Sequence, residues 1–146
     1  MRKIICLLVL ITAHYLVSAQ CEKRYKLKTE RIVTINSDGS EGEEMPFTAD
    51  ISISKDSIRI VATLPDGNIA EIKGKHTETV CKMNADYTEG TIEYKTEAEM
   101  SRTGETRPMR MVFTMEAKDG KLKLFGVPEE QGEKICFFIK EKEEVK

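Results

Sequence analysis

The segment TIEYKTEAEM, residues 91–100, divides its side chains into two alternating sets. The mostly apolar set is Ile92, Tyr94, Thr96, Ala98 and Met100, and the polar set is Thr91, Glu93, Lys95, Glu97 and Glu99. A period of two residues places each set on its own face of an extended chain. The segment therefore predicts an antiparallel strand with one face buried and the other in water.

A second segment with the same period, MRMVFTMEA at residues 109–117, follows after a polar loop. Its apolar set consists of Met109, Met111, Phe113, Met115 and Ala117. Because only the loop Ser101–Pro108 separates the two segments, they are predicted to form a β-hairpin with one apolar face.

The alternation continues on both sides of this hairpin and is interrupted by turn residues. Downstream, alternating apolar residues follow the turn Lys118–Gly120 and the loop Pro128–Glu133. Upstream, they begin at Tyr25, Phe47 and Ile58. Short alternating segments at this spacing indicate a series of strands joined by turns.

About eight such strands predict an all-β domain, residues 20–146, folded as an antiparallel meander. Because strands adjacent in sequence pair in this topology, an up-and-down barrel or half-barrel is favoured, and a two-layer β-sandwich or roll is the alternative. The segment His76–Tyr87 follows neither the strand nor the helix period, so a short strand, a helical turn and a loop all fit it. The charged segment Lys140–Lys146 is expected to be a solvated tail.

The N-terminus has the pattern of a secretory signal peptide. Arg2 and Lys3 precede the apolar run Ile4–Ile11, and Val17 and Ala19 stand at positions −3 and −1 of a predicted cut after residue 19. Removal of residues 1–19 leaves 21 basic against 25 acidic residues, a net charge of about −4. We therefore expect a secreted or periplasmic acidic domain.

Cys21 raises an alternative, because bacterial lipoproteins are acylated on a cysteine just after the apolar run. Gln20 stands where such sites have a small residue, and Ser18 stands where they have leucine. We therefore expect a membrane attachment only if Cys21 is lipidated, and favour a free mature protein.

The mature chain has three cysteines in an oxidising compartment, because Cys6 leaves with the signal peptide. One disulfide and one remaining thiol is the simplest arrangement. We predict a bridge between Cys81 and Cys136, since Cys21 lies at a terminus that is free to fray. A bridge from Cys21 that holds the first strand is the alternative.

The sequence contains no recognisable catalytic, metal or cofactor motif. His76 is the single histidine of the mature chain, no Cys-x-x-Cys is present, and the acidic composition does not suit a nucleic-acid partner. We therefore expect a protein that is not an enzyme and that needs no metal or cofactor.

The methionine-rich face of the hairpin is the most specific candidate site. Flexible thioethers adapt to an apolar ligand, although an apolar strand face also serves simply as core. The candidate ligand-binding residues are Met100, Met109, Met111, Phe113 and Met115. The function predicted from the sequence is a non-enzymatic binding module for a small apolar ligand, and the alternative is an envelope structural protein or an inhibitor that binds another protein.

Overall fold

Antiparallel strands make up most of the structure, a computed structural model that describes residues 21–130 and 132–146. The strands of this described part are β1 (Arg24–Ile35), β2 (Glu41–Glu44), β3 (Ala49–Ile53), β4 (Ser57–Thr63), β5 (Ile69–Met83), β6 (Gly90–Arg102), β7 (Glu105–Lys118), β8 (Lys121–Pro128) and β9 (Lys134–Val145). The predicted signal peptide, residues 1–19, lies outside the described residues. No helix within them is long and apolar enough to cross a membrane.

Strands β1 and β9 close the sheet into a barrel. From β3 to β9 each strand pairs with the next in sequence, and β9 returns to pair with β1 from Arg24 to Ile35. The other edge of β1 pairs with β3 near the start of β1 and with β2 near its end. The prediction of an antiparallel meander that forms a barrel is confirmed, with eight strands in the closed barrel and β2 as an extra strand.

The barrel interior is built from the apolar sets that the period of two identified. In β6 this set is buried or partly buried while the glutamates between its members are exposed. In β7, Met111, Phe113 and Met115 are almost completely buried. Because the opposite wall of a small barrel covers each inward face, a single alternating sheet supplies its own core.

The ambiguous segment His76–Tyr87 is mostly strand. β5 continues to Met83, but its register with β6 shifts between His76 and Glu78. Before this bulge the even-numbered residues face inward, whereas after it Cys81 is partly buried and Met83 buried. A bulge inserts one residue and exchanges the two faces, so the sequence of β5 does not keep a single period.

The expectation of a solvated C-terminal tail was wrong. The backbone from Lys140 to Val145 belongs to β9, and residues 141–145 pair with the first five residues of β1, Arg24–Lys28. The side chains of this segment are mostly exposed. Glu141 forms an ion pair with Lys28 of β1, and Glu144 forms one with Lys23, just before β1. A strand that is charged on both faces shows no alternation of polarity, which is why its sequence resembled a tail.

The predicted bridge between Cys81 and Cys136 was also wrong, since Cys81 is bonded to Cys21. Cys81 packs against the interior core, whereas Cys136 faces outward between Ile135 and Phe137, whose side chains line the interior. The sulfur atoms of Cys81 and Cys136 therefore lie on opposite faces of the wall. Cys136 is a buried free thiol, and burial raises its pKa to about 11.

The end of the barrel that carries the β5–β6 loop is closed by aromatic side chains. Tyr87 of this loop packs against Tyr25 at the start of β1, with ring centroids 4.9 Å apart. The amino group of Lys142 lies 5.0 Å from the centroid of the Tyr87 ring. The Cys21–Cys81 bond adds a covalent link at the same end, where Cys21, just before β1, meets β5.

Candidate ligand-binding site

A cavity of about 570 Å³ lies at the other end of the barrel, next to the turn between β4 and β5. Its volume is within the range of pockets that bind small molecules. The lining residues are Ile32, Met45, Phe47, Ala49, Ile60, Ala62, Leu64, Pro65, Asp66, Ala70, Ile72, Met100, Arg102, Ile135 and Phe137. All except Asp66 and Arg102 are apolar.

Three small side chains line one level of this space. Ala49, Ala62 and Ala70 are direct register partners across β3, β4 and β5, and together we call them the alanine row. The next inward row along these strands holds Ile60 and Ile72 in place of alanines. Because alanine carries only a methyl group, the row leaves a volume above the isoleucines that no side chain from these strands fills.

The segment between β2 and β3 forms part of the cavity wall with side chains rather than with paired backbone. The amide of Met45 donates to the carbonyl of Ile32 at 2.8 Å, whereas the amide of Ala49 donates to the Thr29 hydroxyl at 2.7 Å. Regular pairing with β1 is therefore interrupted between these two points. Met45 and Phe47 are partly buried and pack against the core at this gap.

Asp66 is one of the two charged residues of the lining and is held firmly by its own turn. Its Oδ1 accepts a hydrogen bond from the backbone amide of Asn68, and its Oδ2 accepts one from the side-chain Nδ2 of Asn68, each at 3.0 Å. These hydrogen bonds are the main reason that the pKa of Asp66 lies below its ordinary value, and the positive charge of Arg102 lowers it further. Asp66 is thus a fixed negative charge at the rim of the cavity.

Arg102, the second charged residue, stands at the end of the alanine row. It is the register partner of Ala70 on the neighbouring strand. The register partner of Arg102 on β7 is Glu105, whose carboxylate lies 3.8 Å from the guanidinium of Arg107. Among the described residues, the Arg102 guanidinium has no hydrogen-bond acceptor and no ion pair.

The structure distributes the predicted methionine site over three environments. Met100 lines the cavity. Met111, Phe113 and Met115 belong to the core cluster, and Met109 is partly buried and packs against it. A role of these five residues in ligand binding stays a prediction, but only Met100 of the set lines this cavity.

Sequence reasoning missed the alanine row, the Met45–Phe47 wall and both rim charges. The available signal was the presence of alanine at inward positions of two consecutive predicted strands, since Ala70 lies on a strand that the sequence did not predict. That signal becomes specific only when the register is known, because the alanines line up across strands rather than along one of them.

His76 lies on the inner face of β5 but is not among the residues that line the cavity. Its Nδ1 is 2.8 Å from the Thr96 hydroxyl, and its ring stacks on Tyr94 with centroids 4.4 Å apart. Its Nε2 is buried and has no hydrogen-bond partner within the described part of the chain. Burial lowers the pKa of His76, so the neutral imidazole is the form that fits this position.

Comparison of the chain with protein-family models, curated proteins and solved structures found no match. In residues 21–130 and 132–146, no three His, Cys, Asp or Glu side chains are grouped so that they could hold a metal ion. Inferences about function therefore start from the cavity, its apolar lining and its two rim charges.

Proposed function

We propose that this protein is a non-enzymatic binding module that holds a small apolar ligand in the cavity at the end of its barrel. The observation that carries the proposal is a space of about 570 Å³ lined by apolar side chains, with charge only at Asp66 and Arg102. An eight-stranded barrel has an interior wide enough for one small ligand when its side chains do not fill it. Each methylene group buried there contributes roughly 0.8 kcal/mol to binding. The burial of several such groups can therefore drive binding on its own.

The test is a fluorescence titration with anilinonaphthalene, an uncharged probe that emits more strongly in apolar surroundings. We expect saturable binding to the wild-type domain. Ala62→Phe places a ring in the cavity and should weaken binding about tenfold or more, a loss of at least about 1.4 kcal/mol. Thr63→Phe adds the same ring at the exposed neighbouring position of β4 and should leave binding unchanged.

A failure of the wild-type protein to bind the probe would count against the proposal. Equal binding by the Ala62→Phe variant would also count against it, because the probe would then lie outside the cavity. Circular dichroism of both variants should retain the β-sheet spectrum, which separates a loss of binding from a loss of fold.

We further propose that the domain works outside the cytoplasm, in a secreted or periplasmic location. The Cys21–Cys81 disulfide is compatible with an oxidising compartment and supports this location. Acylation of Cys21 would use the sulfur that the disulfide requires, so the bond also favours a free protein over a lipoprotein. The mass of the secreted protein should correspond to a chain that begins at Gln20, without a lipid and with one disulfide.

A role in binding another protein has weaker support. β2 pairs only with β1, so its second edge is free of strand partners in the described part of the chain. However, β2 has only four residues, three of them glutamate and all of them exposed. Short, charged edge strands are typical of edges that are protected from pairing. The cavity therefore supplies the stronger functional argument.

A further inference from the structure

We propose that the ligand of this cavity is a small amphiphile with an anionic head group, and that the guanidinium of Arg102 binds this head at the rim. The inference rests on the proposed function, because it concerns the same cavity. It adds the chemical class of the ligand and names the residue that selects it.

The position of Arg102 follows from the register of the sheet. Ala49, Ala62 and Ala70 line one level of the cavity, and Arg102 is next in the same row on β6. A ligand that lies over the alanine row therefore reaches Arg102 at its end. The aliphatic stem of an arginine can cover apolar surface while its guanidinium stays in water.

The charge of Arg102 is available to a ligand. Guanidinium carries five donors in a planar arrangement that matches carboxylate, sulfonate and phosphate oxygens. In the described residues none of these donors is used by another side chain. Glu105 is the acid closest to Arg102 in register, and its carboxylate is directed to Arg107 instead.

Asp66 has the opposite charge but a different role. Both of its carboxylate oxygens already accept hydrogen bonds from Asn68. Asp66 and Arg102 both line the cavity, and the positive charge of Arg102 lowers the pKa of Asp66. Asp66 therefore attracts the guanidinium toward the rim and weakly repels an incoming anion. Removal of its charge should strengthen the binding of an anionic head.

The experiment compares two probes that share one apolar body. Anilinonaphthalene is uncharged, and anilinonaphthalene sulfonate carries one negative charge on the same rings. In fluorescence titrations we expect Arg102→Gln to weaken the sulfonate about fivefold, the range of one exposed ion pair, and to change the uncharged probe by less than twofold. Asp66→Asn should strengthen the sulfonate and leave the uncharged probe unchanged.

Arg24→Gln is the matched control, since it removes the same charge from an exposed residue at the start of β1, away from the cavity lining. It should change neither affinity. If Arg102→Gln and Arg24→Gln weaken the sulfonate equally, net charge explains the effect and the inference is overturned.

The outcomes separate this inference from the proposed function. If the wild-type protein binds the uncharged probe in the cavity and Arg102→Gln leaves the sulfonate affinity unchanged, the inference fails and the proposed function stands. If neither probe binds the wild-type protein, the proposed function fails, and the inference fails with it. Because Arg102 is exposed, its substitution should not prevent folding, which the melting temperature of the variant checks.

Discussion

Loss of the Cys21–Cys81 disulfide should lower the free energy of unfolding by an amount that the separation of the two residues determines. The cysteines are 60 residues apart. In the chain-entropy model a loop of this length reduces the entropy of the unfolded chain by roughly 14 cal/mol/K, equivalent to about 4 kcal/mol at 25 °C. For a domain of this size the corresponding decrease in melting temperature is roughly 15 °C.

The measurement is urea denaturation of the wild-type domain and of the double variant Cys21→Ala, Cys81→Ala, with and without a reducing agent. Reduction should destabilise the wild-type protein by about 4 kcal/mol and leave the double variant unaffected. Cys136→Ala is the control, because it removes the free buried thiol. It should cost roughly 1 kcal/mol for a small cavity and keep its sensitivity to reduction.

Two results would refute this reasoning. A Cys136→Ala variant that no longer responds to reduction would show that Cys136 takes part in the bridge. A reduced wild-type protein as stable as the oxidised one would show that the link between Cys21 and β5 does not raise the free energy of unfolding. Peptide mapping of the oxidised protein identifies the bonded pair independently of stability.

Three further predictions concern the core. Gly74→Ala should destabilise the domain by roughly 2 kcal/mol in urea denaturation, because its new methyl group would contact the Thr96 side chain and approach the Ala98 Cβ to 3.0 Å. Phe113→Ala should cost about 3 to 5 kcal/mol in the same assay, since Phe113 is completely buried. For His76 the pKa in the folded state is lowered, so the unfolded chain binds the proton more readily and stability is lost as the pH falls below about 6.5, the ordinary value for histidine. Unfolding curves at pH 7 and pH 5 should show this loss, and a His76→Asn variant that loses as much stability would contradict it.

The strands were predictable because polarity alternates wherever one face of a strand is buried and the other exposed. This condition holds in β6 and β7, whose apolar sets were identified residue by residue. It fails after the bulge in β5, where the inward face changes from His76 to Cys81. It fails again in the last residues of β9, where both faces are charged. The alternation of polarity therefore does not reveal a strand whose inward face changes at a bulge, nor a strand whose two faces are both in water.

The disulfide and the cavity depend on contacts between segments that are distant in sequence, and for this reason they were not predictable. Cys21 was expected at a free terminus because no nearby residue in the sequence holds it. The residue that does hold it, Cys81, is 60 residues away. In the same way, Met111 and Met115 had the composition of a ligand site but lie in the filled core, whereas Ala49 and Ala62 enclose space by being small. Which apolar residues pack and which leave a volume is decided by register, not by polarity.

The two ends of the barrel differ in how they use side-chain volume, and this difference is an argument for function. At one end Tyr25 and Tyr87 pack in the interior and a disulfide links the wall, whereas at the other end the inward positions of β3, β4 and β5 hold Ala49, Ala62 and Ala70. Protein interiors are normally packed as densely as organic crystals, and unfilled apolar volume forgoes dispersion contacts. A barrel that served only as a framework would gain stability from larger residues at these positions. The alanine row is therefore the feature of this fold on which the proposed binding of a small ligand rests.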